Sequence, residues 1–195
     1  MGEVKRMKYL AGGQWLDTKS GKYTPVYNPS TGEVQAEIPS CTTEEVAYAI
    51  ECAKKAFPAW RDTPVMKRVQ VLYKFRDLLD QHWDELTECC AREHGKNWKE
   101  SAGDIAKVKE PVELACGTPT LMMGESMMDT SKGYDTVSYR EPLGVFAGIA
   151  PFNFPGMIPM GWMTPICIAT GNTIVIKAAR SKYEEKNKDF FETMK

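Results

Sequence analysis

Two side chains stand out for chemistry against a long apolar background. From Pro142 to Ile176 the chain reads PLGVFAGIAPFNFPGMIPMGWMTPICIATGNTIVI, without a single formal charge. Within it Asn153 is the uncharged hydrogen-bonding side chain of the segment FNF, and Lys177 follows immediately after the block. A carboxamide in a tight turn can donate to a developing oxyanion, or can bond its own backbone as turn asparagines do. An ammonium at the end of an apolar strand can reach the hydroxyls or phosphates of a nucleotide, or can simply snorkel into water. The residues leave both pairs of readings open.

The other reactive types carry weaker signals. Six cysteines at 41, 52, 89, 90, 116 and 167 form no CxxC pair and no metal-ligand spacing, so they are expected as reduced, mostly buried thiols. Cys116 and Cys167 lie in helical, apolar contexts and are expected to act as small core residues, and the adjacent Cys89 and Cys90 to point different ways on a helix. His82 and His94 sit on helical patterns near acidic residues with no nucleophile paired to them, and neither is assigned a catalytic role.

The elements that must position Asn153 and Lys177 follow from the punctuation. Prolines at 142, 151, 155, 159 and 165, with glycines between them, rule against one uninterrupted membrane-spanning helix. Instead, Leu143–Ala150 is predicted as a strand buried on both faces, Gly156–Thr170 as a crossover helix and Asn172–Ala179 as a parallel neighbouring strand. In such a sheet a ligand sits outside the carboxyl ends of the strands, which here means Ile149 to Asn153 and Lys177. Upstream, residues 9–40 should form short strands joined by turns at Gly12-Gly13, Asn28-Pro29-Ser30 and Thr31-Gly32. Thr42 and Glu45 make a capping box for a helix over about 43–57, whose stripe is Val46, Ala49, Ile50, Ala53, Phe57 and Trp60. Thr63-Pro64 should cap a second helix over 64–81 with the stripe Val65, Val69, Leu72, Phe75 and Leu79. Helices over 83–93 and 100–123, the latter perturbed by Pro111, precede an extended stretch at 134–141.

Composition agrees with a water-exposed globular protein: 43% hydrophobic and 26% charged residues, mean hydropathy −0.40 and a formal net charge of −1. That balance favours neither nucleic acid nor an anionic membrane as a partner. The first residues, MGEVKRMKYLAGGQW, lack the apolar core of a signal peptide, and a cytoplasmic location is expected.

The segment EPLGVFAGIAPFNFPGMIPMGWMTPICIATGNTIVIKAA resembles the aldehyde dehydrogenase superfamily, most closely its CoA-acylating methylmalonate-semialdehyde dehydrogenase branch. YNPSTGEV at 27–34, AFPAWRDTPV at 56–65 and VELACGTPTLMMGES at 112–126 support the resemblance in register, from about residue 9 to 179. It implies an α/β fold: the N-terminal part of an aldehyde dehydrogenase, with a β-hairpin and helical portion over 1–141 and the first βαβ unit of a Rossmann-like cofactor domain over 142–179. A charged tail would follow over 180–195. It further implies that Asn153 is the oxyanion asparagine, that Ile149, Ala150, Pro151 and Phe152 line the nicotinamide-ribose side of NAD, and that Lys177 bonds the adenosine ribose. Arg180, where many members carry an acidic residue, keeps NADP open. The implied substrate is a small semialdehyde, the implied acyl acceptor is CoA, and full-length members are oligomers. The family's nucleophilic cysteine belongs to a later loop that none of these six cysteines matches. The chain alone is therefore expected to be inactive and marginally stable, with a truncated product that associates with a full-length relative as the alternative.

Overall fold

A computed structural model describes residues 4–178; Ala179 and the charged tail with Arg180 lie outside the described residues. The chain begins with short strands β1 (Lys5–Arg6), β2 (Tyr9–Ala11), β3 (Gln14–Leu16), β4 (Tyr23–Tyr27) and β5 (Val34–Pro39). β2 and β3 form a hairpin over Gly12-Gly13, and a three-stranded sheet runs β1-β5-β4, with β1 parallel and β4 antiparallel to β5. Asn28 closes its turn by accepting the Ser30 N–H at 2.9 Å.

Helix α1 (Thr43–Arg61) starts at the capping box: Thr42 Oγ1 accepts the Glu45 N–H at 3.2 Å, and the Glu45 carboxylate accepts the Thr42 N–H at 2.7 Å. It runs four residues past the expected end, carrying Pro58 inside it. Its apolar stripe is only partly covered, for Val46 and Ile50 stay exposed. Helix α2 (Val65–Gln81) starts one residue later than expected, with Pro64 at its boundary and no side-chain cap. The Thr63 hydroxyl, predicted to cap it, instead donates back to the Ala59 carbonyl at 2.9 Å. After α3 (Trp83–His94) comes α4 (Trp98–Cys116), which carries the fully buried Ile105, Val108, Val112 and Ala115 and packs on Leu72 and Leu79 of α2. The single helix expected over 100–123 breaks at Gly117, because Pro119 has no N–H to donate to the Ala115 carbonyl four residues back and its ring would crowd that carbonyl; a short α5 (Thr118–Leu121), with Pro119 in its first turn, follows.

The extended stretch expected at 134–141 contains strand β7 (Tyr134–Val137), which pairs in a hairpin with β6 (Ser126–Ser131), a strand the sequence did not suggest. Strand β8 (Val145–Ile149) leads through a widened π-helical turn, Met157–Met163, into α6 (Thr164–Ala169) and strand β9 (Thr173–Lys177). The crossover is therefore not one α-helix. Pro159 lacks the N–H an α-helical ladder needs, and the Thr164 hydroxyl takes up the Pro159 carbonyl at 2.6 Å. This turn packs on α4 so closely that a Cβ on Gly161 would lie 3.0 Å from the Val108 Cα.

β8 and β9 pair in parallel, as expected, but β8 is not buried on both faces. Gly148 alone is buried along it, while Phe146 is 40% and Ile149 73% exposed. The sheet has only two strands, so nothing among the described residues pairs the outer edges or completes the cover.

Two long-range locks fix the crossover to the helices. The Trp60 indole donates to the Ile168 carbonyl at 2.8 Å, and the buried Arg68 guanidinium donates to the carbonyls of Ala169, Arg61 and Thr63 at 2.9, 3.1 and 2.6 Å. Burial pushes the Arg68 pKa down, but with three carbonyls bound the cation is retained.

Candidate functional site

The register of the parallel pair decides where the candidate residues meet. Val145 faces Thr173 and Ile149 faces Lys177, so both strands end together. The ladder continues one step beyond: the Ala150 N–H donates to the Lys177 carbonyl at 3.1 Å. Ile149, Ala150 and Lys177 thus share one carboxyl edge, the place where open α/β sheets bind nucleotides. Ile149 and Lys177 are both exposed, and Lys177 pairs with no carboxylate among the described residues. Ala150 is buried.

From there Pro151, Phe152, Asn153, Phe154 and Pro155 form the turn into the π-helical segment. Its two prolines have no N–H, and the N–H groups of Phe152, Asn153 and Phe154 bond no described main-chain carbonyl. Pro151, Phe152 and Asn153 are exposed. The Asn153 carboxamide makes no hydrogen bond with any described residue, so the self-bonded turn asparagine is not the arrangement found. Its NH₂ is free to donate outward.

Behind the turn lies a group of side chains that sequence reasoning passed over. The Lys96 ammonium sits 4.4 Å from the centre of the Phe154 ring and pairs with Asp104 at 2.6 Å. The Cys90 thiol donates to the same Asp104 oxygen at 3.7 Å. His94, set aside from sequence, has its pKa lowered by burial and by the Lys96 charge, with Asp104 and the neighbouring Asn153 backbone opposing the shift. It is neutral at neutral pH, with Nδ1 buried and unpartnered. The only signal of this group in the sequence was the glycine of His94-Gly95-Lys96, whose left-handed φ of 75° ends α3 and turns Lys96 back toward α4.

The thiols are free, but fewer are buried than expected: Cys90 and Cys116 are, Cys41, Cys52 and Cys167 are half-buried, and Cys89 is exposed. The apolar crossover that was expected to enclose Cys167 lies against an incomplete sheet. Cys89 and Cys90 do point different ways. Burial pushes Cys89 and Cys167 up to about 11 and raises Cys41, Cys90 and Cys116. These five thiols are the opposite of activated nucleophiles. No cluster of His, Cys, Asp and Glu among the described residues could hold a metal, and no described helix is long and apolar enough to cross a membrane.

A parallel βαβ unit with polar groups at its carboxyl edge is an arrangement that open α/β nucleotide-binding proteins share, and the family can be stated. The chain belongs to the aldehyde dehydrogenase family, which it matches over residues 15–183. Among its relatives, malonate-semialdehyde dehydrogenase 2 of Oceanobacillus iheyensis is 47% identical over 174 residues, covering 89% of this chain and 36% of that protein. The crystal structure of methylmalonate-semialdehyde dehydrogenase from Oceanimonas doudoroffii superposes with a TM-score of 0.84 at 40% identity, over 89% of this chain and 35% of that one. A putative methylmalonate-semialdehyde dehydrogenase from Sinorhizobium meliloti 1021, complexed with NAD, gives 0.85 at 38% identity, over 90% and 36%. The chain thus spans about a third of the length of the curated relatives it matches, and the fold is the N-terminal part of an aldehyde dehydrogenase.

Proposed function

We propose that this chain forms one wall of the nucleotide site of a semialdehyde dehydrogenase and contributes its oxyanion donor. The observation that carries the reading is the Ala150 N–H bond to the Lys177 carbonyl, which seats the Asn153 turn and the Lys177 ammonium at one strand end. The names of the relatives point to malonate or methylmalonate semialdehyde as substrate, and the NAD-bound relative points to NAD.

The residues present fit a dinucleotide. Lys177 would hold ribose hydroxyls, and Ile149, Ala150, Pro151 and Phe152 would line the nicotinamide-ribose side, Phe152 and Ile149 presenting apolar surface. Bound NAD⁺ supplies the hydride acceptor. Asn153 donates to the oxygen that gains negative charge when a thiolate adds to the aldehyde carbon, giving a tetrahedral thiohemiacetal. Transfer of hydride from that carbon to NAD⁺ would leave the acyl group on the thiol as a thioester, and a CoA thiol would be its acceptor, releasing the enzyme thiolate.

The nucleophile belongs to the two thirds of the relatives' length that this chain does not match. Five of the six thiols have raised pKa values and do not suit the role, and none of the six matches the family's nucleophile context, so the chain by itself is expected not to turn over. The test is a chimera in which residues 9–178 replace the matching third of the O. iheyensis relative. NAD- and CoA-dependent oxidation of malonate semialdehyde is expected from the chimera and not from the chain alone. A folded but inactive chimera, or turnover by the chain alone, contradicts the proposal.

A second reading has its own observation. Leu143 is 87% exposed and lies beside the uncovered face of β8, apolar surface of a kind that mediates association. A non-catalytic chain that pairs with a full-length relative fits that surface.

A further inference from the structure

The turn that presents Asn153 is almost without main-chain support. Between the Ala150 N–H on Lys177 and the long 3.4 Å bond from the Ile158 N–H to the Phe154 carbonyl, no N–H of residues 151–155 finds a described main-chain partner. A carboxamide that must meet a developing charge within a few tenths of an ångström needs a rigid mount. Besides His94, which neighbours the Asn153 backbone, the mount here is the Phe154 ring, which packs against the buried cluster of α2, α4 and α6 on one side. The Lys96 ammonium lies 4.4 Å from the ring's centre.

Lys96 is itself fixed. It follows the left-handed Gly95 that ends α3, and its ammonium is held by Asp104 of α4 at 2.6 Å, the two side chains 20% and 10% exposed. Cys90 of α3 donates to the same carboxylate oxygen. A desolvated cation on an aromatic face contributes more than an exposed one, because water no longer competes for the ammonium. The pair thus ties the α3–α4 junction to the residue next to Asn153.

We propose that Lys96, oriented by Asp104, is a positioning residue for Asn153: it clamps the Phe154 ring and thereby holds the carboxamide in its donating pose. The proposal rests on the reading of Asn153 as the oxyanion donor, but its physical content, a rigid turn, can be measured without turnover.

The experiment is ¹⁵N relaxation of this chain, reading the backbone order parameters of Asn153 and Phe154 and the Asn153 side-chain amide signal. Wild type is expected near S² of about 0.85 at both positions, and Lys96→Met below about 0.6 with the side-chain amide signal moved or broadened. Lys96→Arg, which keeps both the carboxylate pair and a cation over the ring, should restore the wild-type values. Because Lys96→Met strands the Asp104 carboxylate and could lower overall stability, Phe154→Leu serves as the second variant. It keeps the ion pair, removes only the ring, and should loosen the same two residues; in that background Lys96→Met should add nothing. Unchanged order parameters in Lys96→Met or Phe154→Leu, or failure of Lys96→Arg to rescue, overturn the proposal. The reading of Asn153 fails separately: if Asn153→Ala in the chimera costs no rate while Lys96→Met still loosens the turn, the clamp stands and the oxyanion role falls.

Discussion

The role proposed for Asn153 rests on what the residue lacks. An asparagine in a strand-to-helix turn ordinarily spends its carboxamide on its own backbone, whereas here it bonds no described residue and faces outward beside a ring that is clamped from behind. Lys177 is the matching case at the end of β9, and Lys177→Ala in the chimera should raise the KM for NAD about ten- to a hundredfold with kcat little changed, as expected for a lost charge-assisted bond. The thiols give a prediction in the opposite sense. With Cys89 pushed up to about 11 by burial and by Glu93, its alkylation by iodoacetamide at neutral pH should run at least about a hundredfold slower than that of a free thiol, despite its exposed position. Rapid labelling of Cys89, followed by mass spectrometry, would contradict that. Glu45 supplies the pH dependence. Its carboxylate accepts the N–H groups of Lys19 and Thr42 and the Thr18 hydroxyl, which hold its pKa below the usual glutamate value. For a depressed pKa the stabilisation is complete above the unfolded value of about 4.3 and is lost as pH falls from there through the folded value. Thermal melts of wild type and Glu45→Gln should therefore differ at pH 7 and converge progressively below about pH 4.3.

Among the elements, the crossover and α4 are the closest fit. Gly161→Ala would place a Cβ 3.0 Å from the Val108 Cα and 3.1 Å from its carbonyl oxygen, backbone that cannot step aside, so a loss of about 1–3 kcal/mol is expected in chemical denaturation. Arg68→Ala leaves the carbonyls of Ala169, Arg61 and Thr63 without their shared donor and should cost about 3 kcal/mol. What sequence could reveal of these elements followed the range of the interaction involved. The capping box of α1 is written in four consecutive residues and was legible, as was the parallel pairing of the strands expected over 143–150 and 172–179, found as Val145–Ile149 with Thr173–Lys177. The hairpin β6–β7 was not, because its turn residues Lys132-Gly133 sit among exposed polar and methionine positions with no alternation to mark strands. The π-helical turn was hidden because Pro159 announces a disturbed helix without saying how the ladder is repaired. The Lys96 clamp was out of reach altogether: it joins α3, α4 and the Asn153 turn, and no local pattern encodes which aromatic ring a lysine will cover.

At the scale of the whole chain, an apolar sequence proved a poor guide to burial. A charge-free strand announces that something should cover it, not that the same polypeptide does. Ile149 and Leu143, with Met128, Tyr134 and Tyr139 near the β6–β7 hairpin, stand exposed in a chain spanning a third of its relatives' length. Such a surface should draw molecules together: light scattering after size exclusion is expected to show mass rising with concentration, and a strictly monomeric chain with a cooperative, high-temperature unfolding transition would contradict this. The chimera, which supplies the two thirds of the relative that this chain does not match, is the setting for the decisive number. That number is the ratio of kcat between the chimera and its Asn153→Ala variant with malonate semialdehyde, NAD and CoA. A fall of about 10²–10³ in kcat at nearly constant KM is predicted for loss of one oxyanion donor. Equal rates would show that the exposed carboxamide at the end of β8 takes no part in the chemistry.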